Sequence, residues 1–117
     1  MIRPFATLAA AALLIVSAGA WSAPPTAKQV LKDRVLGDPN APIEIVEYAS
    51  LTCSHCRQFH TEILPDLKKN YLDTGRAKLI YRDFPFDQLS LIASILARCA
   101  PPSRYFQFLD VLFQNQE

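Results

Sequence analysis

The chain lacks an excess of either charge and carries few cysteines. Its 12 basic residues are nearly balanced by 11 acidic ones, so the formal net charge is +1. This balance excludes the basic surface typical of nucleic-acid-binding proteins, and it excludes an acidic tail. No internal repeat or low-complexity block is visible in the 117 residues, of which half are hydrophobic. The sequence therefore predicts a single domain with one packed core.

Long apolar runs are absent outside the amino end. There, Arg3 precedes a run of Ala, Leu, Ile and Val, and the small residues Ala18, Gly19 and Ala20 follow. This is the pattern of a secretory signal peptide, and cleavage is expected after Ala20. A transmembrane anchor is disfavoured, because the strictly apolar part is short for a span of about 20 residues and no charged stop-transfer cluster follows. Residues 1–20 are therefore predicted to direct export.

Three cysteines are too few for a domain that disulfides hold together, and the number is odd. In an exported chain disulfides persist, so a cysteine pair can be oxidised. Two of the three, Cys53 and Cys56, stand in the run TCSHC with His55 between them. This spacing suits a metal site, a static disulfide, or a pair that exchanges electrons with other proteins.

The cysteine pair lies between a predicted strand and a predicted helix. Residues 43–49 are rich in β-branched and aromatic residues and follow the turn-forming run GDPNAP, which predicts a strand. Both of its faces are largely apolar, which favours a central strand covered on both sides. A helix is expected to begin at or just before Cys53, because Cys56 opens an apolar stripe at helical spacing. Pro65 should kink this helix, and Gly75 should end it.

The rest of the chain predicts an α/β domain. A second strand is expected at residues 77–84, then a helix that ends before Pro101, and then a last helix capped by Ser103. Two strands separated by one helix predict a parallel pair joined by a right-handed crossover. The cysteine motif then lies at the carboxyl end of the first strand, where open α/β sheets usually place their chemistry. The domain is assigned to residues 43–117, after a polar lead and turn at residues 21–42.

The two cysteines are expected to differ in reactivity. Cys53 should face the unpaired N–H groups at the start of the helix, and these groups stabilise a thiolate. The neighbouring His55 can add a hydrogen bond or a positive charge. Cys56 shares a stripe with Phe59 and Ile63, so it should be buried and less reactive. These positions predict Cys53 as the attacking thiol and Cys56 as the resolving thiol.

Other polar and aromatic residues carry weaker expectations. Glu47 shares a strand face with apolar residues, so its carboxylate must find a partner or stay protonated, unless it reaches water at the sheet end. His60 is expected at the edge of the core, and Cys99 is expected to be a small buried hydrophobe. Four aromatic residues are expected to form helix core: Tyr105, Phe106, Phe108 and Phe113.

The quoted residues resemble a known family. The run EYASLTCSHCRQFH followed by LP, together with RDFP and ARCA downstream, resembles the DsbA-like thiol:disulfide oxidoreductases of the thioredoxin fold over roughly residues 33–117. The resemblance implies Cys53 as attacking thiol, Cys56 as its partner, His55 as thiolate stabiliser and Glu47 as a proton relay. It further implies a periplasmic enzyme without a bound cofactor. Its partners would be cysteine-containing proteins and a redox protein that recycles the pair. The charge balance predicts no nucleic-acid partner, and the signal-peptide pattern predicts no stable membrane anchor.

Two departures from the family pattern leave alternatives open. Family members usually carry Pro-His between the cysteines, whereas this chain has Ser54–His55, so an oxidant and an isomerase or reductase are both possible. The family fold continues past a helical insertion to a cis-proline loop and further strands, whereas this chain ends at FQNQE. We therefore expect an incomplete thioredoxin-like fold, and two strands alone make a poor sheet.

Metal binding is the interpretation from a different class, as in a copper-handling or zinc-binding thioredoxin-like module. Cys53, His55, Cys56 and His60 could be counted as four ligands. Structural zinc, however, normally draws on two separated ligand pairs, and no second pair is present. No metal site is therefore predicted.

Overall fold

The computed structural model describes residues 24–116, and the predicted signal peptide at residues 1–20 lies outside that range. The strands are β1 (Arg34–Gly37), β2 (Ile43–Ala49) and β3 (Ala77–Asp83), and the α-helices are α1 (Ala27–Val30), α2 (Ser54–Gln58), α3 (Leu64–Leu67), α4 (Gln88–Cys99) and α5 (Tyr105–Gln114). A π-helical segment, Phe59–Ile63, joins α2 to α3, and a second one, Lys68–Leu72, follows α3. The four segments form one continuous helix, here called the motif helix. None of the helices within residues 24–116 has both the length and the apolar character needed to span a bilayer.

The sheet has the strand order β1-β3-β2, with β2 parallel to β3 and β1 antiparallel to β3. The predicted parallel pair is confirmed, with Ile45 opposite Leu79 and Glu47 opposite Tyr81. The predicted central position of β2 is wrong. The short strand β1 pairs with the other side of β3, so β3 takes the centre of the sheet and β2 is an edge strand among the described residues.

The exposure of β2 follows from this strand order. Only one face of β2 meets the helices, and on the opposite face Tyr48 is 60% exposed and Val46 is 37% exposed. The expected cover on both sides is therefore absent in the part of the chain that the structure describes. In β3, by contrast, Leu79, Ile80 and Tyr81 are all buried.

The motif helix changes its winding just before Pro65. The backbone N–H of Leu64 donates to the carbonyl oxygen of Phe59, five residues back, instead of four. Pro65 has no N–H to continue the α-helical pattern, so the wider π-helical turn precedes it. The helix ends at Leu72, and Gly75 follows in a left-handed turn with φ of 71°.

The core lies where the motif helix, α4 and α5 pack against the sheet. Apolar residues of β3, α4 and α5 form one buried cluster, and the motif helix packs against β3 to form a second one. The first cluster contains Ala49, Leu51, Tyr81, Ala97, Tyr105, Leu109 and Phe113. The expected aromatic core is thus confirmed for Tyr105 and Phe113, whereas Phe108 is 38% exposed and lies on the outer side of α5.

Two expectations at α4 and α5 are wrong. Cys99 is exposed, because the buried side of α4 carries Ala97, and a residue two positions further on lies about 200° around the helix. Ser103 does not cap α5. It lies inside a short 3₁₀ turn, Pro102–Arg104, and Arg104 precedes the first residue of α5 without a side-chain cap.

Candidate active site

The cysteine motif lies at the junction between β2 and the motif helix. Strand β2 ends at Ala49, three residues turn the chain, and Cys53 takes the N-cap position of α2 with extended backbone angles. No side chain caps this helix start. The first N–H groups of the helix therefore remain available to the sulfur of Cys53, which is the arrangement that favours an anion.

The turn before Cys53 is fastened to the start of α4. The hydroxyl of Ser90 lies 2.7 Å from the Ser50 hydroxyl and accepts a hydrogen bond of 3.0 Å from the Leu51 backbone N–H. One residue further, the Thr52 hydroxyl donates to the carboxylate of Asp87, which also caps α4 by accepting from the Ser90 N–H. These four side chains form a group, here called the turn clamp, that holds the reactive turn from a helix distant in sequence.

The two cysteines have opposite pKa shifts. Hydrogen bonds from the backbone N–H of Cys56, then from the Cys56 thiol and the His55 backbone N–H, lower the pKa of Cys53. Burial raises the pKa of Cys56, and the Cys53 sulfur and the Glu47 charge raise it further. Cys53 is thus the better thiolate at neutral pH. Both cysteines are half-buried, so Cys56 is less buried than its place on the apolar stripe suggested.

His55 contributes through its backbone. Its side chain is exposed on the first turn of α2, and the contribution to the Cys53 sulfur comes from the His55 N–H. The helix start therefore accounts for the acidity of Cys53. A role for the His55 imidazole in stabilising the thiolate stays a prediction.

Glu47 has a partner that the sequence did not assign to it. The His60 Nε2 lies 3.1 Å from both carboxylate oxygens of Glu47, and the side chains are 1% and 12% exposed, respectively. The His60 ring stacks on Phe113 with ring centroids 4.0 Å apart and meets Tyr81 edge-on. His60 was expected at the core edge, but it is buried and bonded to the acid. The clue in the sequence was the carboxylate on an apolar strand face, which needs a buried donor.

A cavity of about 460 Å³ lies beside the cysteine turn. Its walls come from the turn, α4 and the end of α5: Leu51, Thr52, Leu89, Ala93, Leu112, Asn115 and Gln116. The walls are mostly apolar, so the space beside the reactive turn suits an apolar side chain.

The possible metal ligands do not converge. Within residues 24–116 no group of three or more His, Cys, Asp or Glu side chains is arranged to hold a metal ion. His55 is exposed at the surface, whereas His60 is buried against Glu47, so the two imidazoles do not join the thiols in one site.

Comparison with known proteins gives consistent matches. A family model described as thioredoxin matches residues 29–117. A Rickettsia prowazekii protein named as a protein-disulfide oxidoreductase is 40% identical over 86 residues, which are 73% of this chain and 32% of that protein. The crystal structure of Wolbachia pipientis alpha-DsbA1 has 45% identity and a TM-score of 0.68, covering 72% of this chain and 43% of that one. That of a protein-disulfide isomerase from Novosphingobium aromaticivorans has 31% identity and a TM-score of 0.69, with coverage of 72% and 43%. The chain spans about a third of the length of the curated relatives it matches.

Proposed function

We propose that this chain exchanges disulfides with cysteine-containing proteins through Cys53 and Cys56. The chain belongs to the thioredoxin family and has the fold of its DsbA-like members. The observation that carries the proposal is the position of Cys53 at the uncapped start of the motif helix, with Cys56 one turn further on. There, backbone N–H groups lower the pKa of Cys53, and burial raises the pKa of Cys56. A lowered thiol pKa supplies the nucleophile and the leaving group of disulfide exchange, and a raised one keeps its partner protonated until it is needed.

The proposed reaction in the oxidising direction has two steps. A substrate thiolate attacks the Cys53 sulfur of the Cys53–Cys56 disulfide, so that a mixed disulfide forms and Cys56 leaves as a thiolate that takes up a proton. A second thiolate of the substrate then attacks the first substrate sulfur, and Cys53 leaves as a thiolate. The substrate gains a disulfide, and two electrons pass to the cysteine pair.

The oxidising direction is the one that the site favours. Backbone N–H groups stabilise the Cys53 thiolate, and a stabilised thiolate in the reduced form makes the disulfide a stronger oxidant. An isomerase or a reductase of the same fold would use the same two sulfurs. The distinction between them therefore rests on the reduction potential and on the partner that recycles the pair.

The proposed place of action is the periplasm, with residues 1–20 as a cleaved signal peptide and residues 43–117 within the thioredoxin-like domain. An exported location suits a disulfide donor, since disulfides persist there. The recycling partner would be a redox protein in the membrane or in the same compartment. The apolar cavity beside the reactive turn would receive a side chain of the polypeptide substrate.

The test is an equilibrium titration of the full chain against glutathione buffers, combined with acid trapping and alkylation of thiols. We expect Cys53 to be alkylated at pH 5 and Cys56 to resist, and we expect Cys56→Ser to retain a mixed disulfide with glutathione. Cys99→Ser is the matched control, because Cys99 is exposed on α4 and should leave the exchange unchanged. Equal and slow alkylation of Cys53 and Cys56 at pH 5 would overturn the proposal.

A further inference from the structure

Ser50 contacts both cysteines through its backbone. Its carbonyl oxygen accepts a hydrogen bond of 3.1 Å from the backbone N–H of Cys53, which closes the turn between β2 and the motif helix. Burial raises the pKa of Cys56, and a hydrogen bond from the Ser50 N–H to the Cys56 sulfur opposes part of this rise. The position of this one residue therefore affects both the entry of the chain into the helix and the surroundings of the resolving sulfur.

The side chain of Ser50 is held by the turn clamp. Ser50 is 1% exposed and Ser90 is 0% exposed, and their hydroxyl oxygens lie 2.7 Å apart. The Thr52 hydroxyl lies 3.2 Å from Ser50 on the other side. A buried hydroxyl needs hydrogen-bond partners, and both partners of Ser50 belong to the clamp. The backbone that contacts both cysteines is therefore anchored, through its own side chain, to α4.

The hydrogens of the turn clamp can run in only one direction. The Ser90 backbone N–H and then the Thr52 hydroxyl lower the pKa of Asp87, so its carboxylate is ionised at neutral pH and can only accept. The single hydrogen of the Thr52 hydroxyl therefore goes to Asp87. The Ser50 hydroxyl must then donate to Thr52, and the Ser90 hydroxyl must donate to Ser50. Asp87 thus sets the orientation of all three hydroxyl groups.

The chain of hydrogen bonds closes on α4. The Ser90 hydroxyl donates to Ser50 while it accepts from the Leu51 N–H at 3.0 Å. The Ser90 backbone N–H donates to Asp87 at 2.7 Å, so the same residue stands at both ends of the chain. Consecutive hydrogen bonds polarise one another, and bonds to a charged acceptor are stronger than neutral ones. The clamp therefore connects the first turn of α4 firmly to the reactive turn.

The clamp acts on the Cys53 thiolate through geometry. Cys53 takes the N-cap position with φ of −84° and ψ of 120°, and there the backbone N–H groups of Cys56 and His55 donate to its sulfur. The Asp87 carboxylate is exposed, so water and salt screen its charge from the sulfur. A shifted turn would move Cys53 out of the N-cap geometry and lengthen these hydrogen bonds. Because the bonds stabilise the thiolate more than the disulfide, such a shift changes the balance between the two forms.

We propose that the turn clamp positions the Ser50 backbone against both cysteines and thereby sets the reduction potential of the pair. Thr52, Asp87 and Ser90 are positioning residues, because they act through Ser50. The inference rests on the proposed function and deepens it, since it names residues outside the cysteine motif that control the oxidising strength.

The clamp makes and breaks no covalent bond. It acts on an equilibrium in which the Cys53–Cys56 disulfide and two glutathione thiols give two cysteine thiols and one oxidised glutathione, with two electrons passing to the cysteine pair. A purely structural clamp would stabilise the disulfide and the dithiol forms alike and would leave this equilibrium in place. The position of the equilibrium therefore distinguishes positioning from simple stabilisation.

The test is an equilibrium titration of the full chain against glutathione buffers, with alkylation and mass spectrometry to count disulfide and dithiol. Thr52→Val removes the hydroxyl between Ser50 and Asp87 and keeps the size of the side chain. At the same glutathione ratio, we expect this variant to hold about 10-fold more disulfide relative to dithiol than the parental chain, as for weakening one hydrogen bond to a charged group. The midpoint of the pH profile for Cys53 alkylation should move to higher pH.

A second clamp variant and two controls accompany Thr52→Val. Ser90→Ala removes the bond on the other side of Ser50 and should shift the equilibrium in the same direction. Thr52→Ser keeps the hydroxyl and should retain the parental equilibrium. Thr61→Val makes the same substitution on the motif helix, where the Thr61 hydroxyl donates to the Arg57 carbonyl oxygen outside the clamp, and should also retain it.

The parental equilibrium in Thr52→Val or in a folded Ser90→Ala would overturn the inference, and Thr52→Val alone decides if Ser90→Ala does not fold. A shift in either control as large as that in Thr52→Val would overturn it as well. If the parental chain forms no Cys53–Cys56 disulfide in these buffers, the proposed function itself fails.

Discussion

The turn clamp predicts that Ser90 matters far more than its neighbour Ser94, one turn along the same helix. Both serines are buried, at 0% and 5% exposure. Ser90 bonds the Ser50 hydroxyl and the Leu51 N–H, whereas the Ser94 hydroxyl has no hydrogen-bond partner within residues 24–116. The pair therefore offers the same substitution, serine to alanine, at two buried positions of one helix with opposite hydrogen bonding.

The expected cost of Ser90→Ala follows from what the substitution leaves unpaired. The Leu51 N–H is buried and would lose its acceptor, which costs about 1–3 kcal/mol. Ser50 would lose one bond but keep its contact with Thr52 at 3.2 Å, which adds about 1 kcal/mol. Together the free energy of unfolding should fall by about 2–4 kcal/mol. Ser94→Ala removes an unpaired buried hydroxyl, so it should be neutral or slightly stabilising.

The measurement is urea unfolding of the reduced full chain. With a slope of about 2 kcal/mol per molar urea, Ser90→Ala should lower the midpoint by about 1–2 M at an unchanged slope. Ser94→Ala should leave the midpoint in place. A Ser90→Ala midpoint within the error of the parental one, or equal losses at both positions, would show that the clamp does not stabilise the turn.

Three further predictions concern charge, ion pairing and backbone strain. Folding lowers the pKa of Cys53, so its thiolate stabilises the folded state fully above the ordinary thiol pKa of 9.0, and this stabilisation is lost as pH falls through the lower folded pKa. The melting temperature of the reduced chain should therefore rise with pH across that interval relative to Cys53→Ser. Identical pH profiles for the two chains would refute this. Arg98→Ala leaves the Asp83 carboxylate, which is only 16% exposed, without its 2.7 Å partner, so it should lower the free energy of unfolding by about 3–5 kcal/mol. Lys68→Ala breaks a half-exposed pair with Asp73 and should cost below about 1 kcal/mol. Similar denaturation midpoints for the two variants would contradict the burial argument. Gly37→Ala, at φ of 95°, brings a Cβ to 3.2 Å from Leu72 and from the Ala77 carbonyl oxygen, so it should destabilise the fold by about 2 kcal/mol or more. Gly75→Ala meets only the Asp38 carboxylate, at 4.0 Å, and should cost about 1 kcal/mol. Thermal melting in which Gly75→Ala is the worse variant would disprove the strain argument.

The sequence predicts the elements whose pattern is local. Strand β2, strand β3 and helix α4 have clear periodicity and turn residues at their ends, and the structure places them within a few residues of the expected bounds. Strand β1 has four residues, begins with Arg34 and ends with Gly37, and alternates only between half-buried and exposed, so it has no apolar pattern to detect. Missing it gave β2 the wrong place in the sheet.

The site shows the same division. The helix start at Cys53 is a local feature, and its effect on the thiol could be expected from the motif alone. The contact between Glu47 and His60 joins a strand to a helix, and the bond between Ser50 and Ser90 spans 40 positions. Such contacts depend on how β2, the motif helix and α4 pack together. Local patterns in the sequence do not predict that packing, so these contacts could not be predicted from the sequence.

The turn clamp has a consequence for how such proteins diverge. The segment TCSHC can stay unchanged while substitutions at Asp87 or Ser90, on a helix outside the motif, alter the shape of the loop that presents the nucleophile. We therefore expect two proteins with identical cysteine motifs to differ in oxidising strength when they differ at these α4 positions. Substitutions that tune the redox behaviour can thus lie more than thirty positions along the chain from the two cysteines.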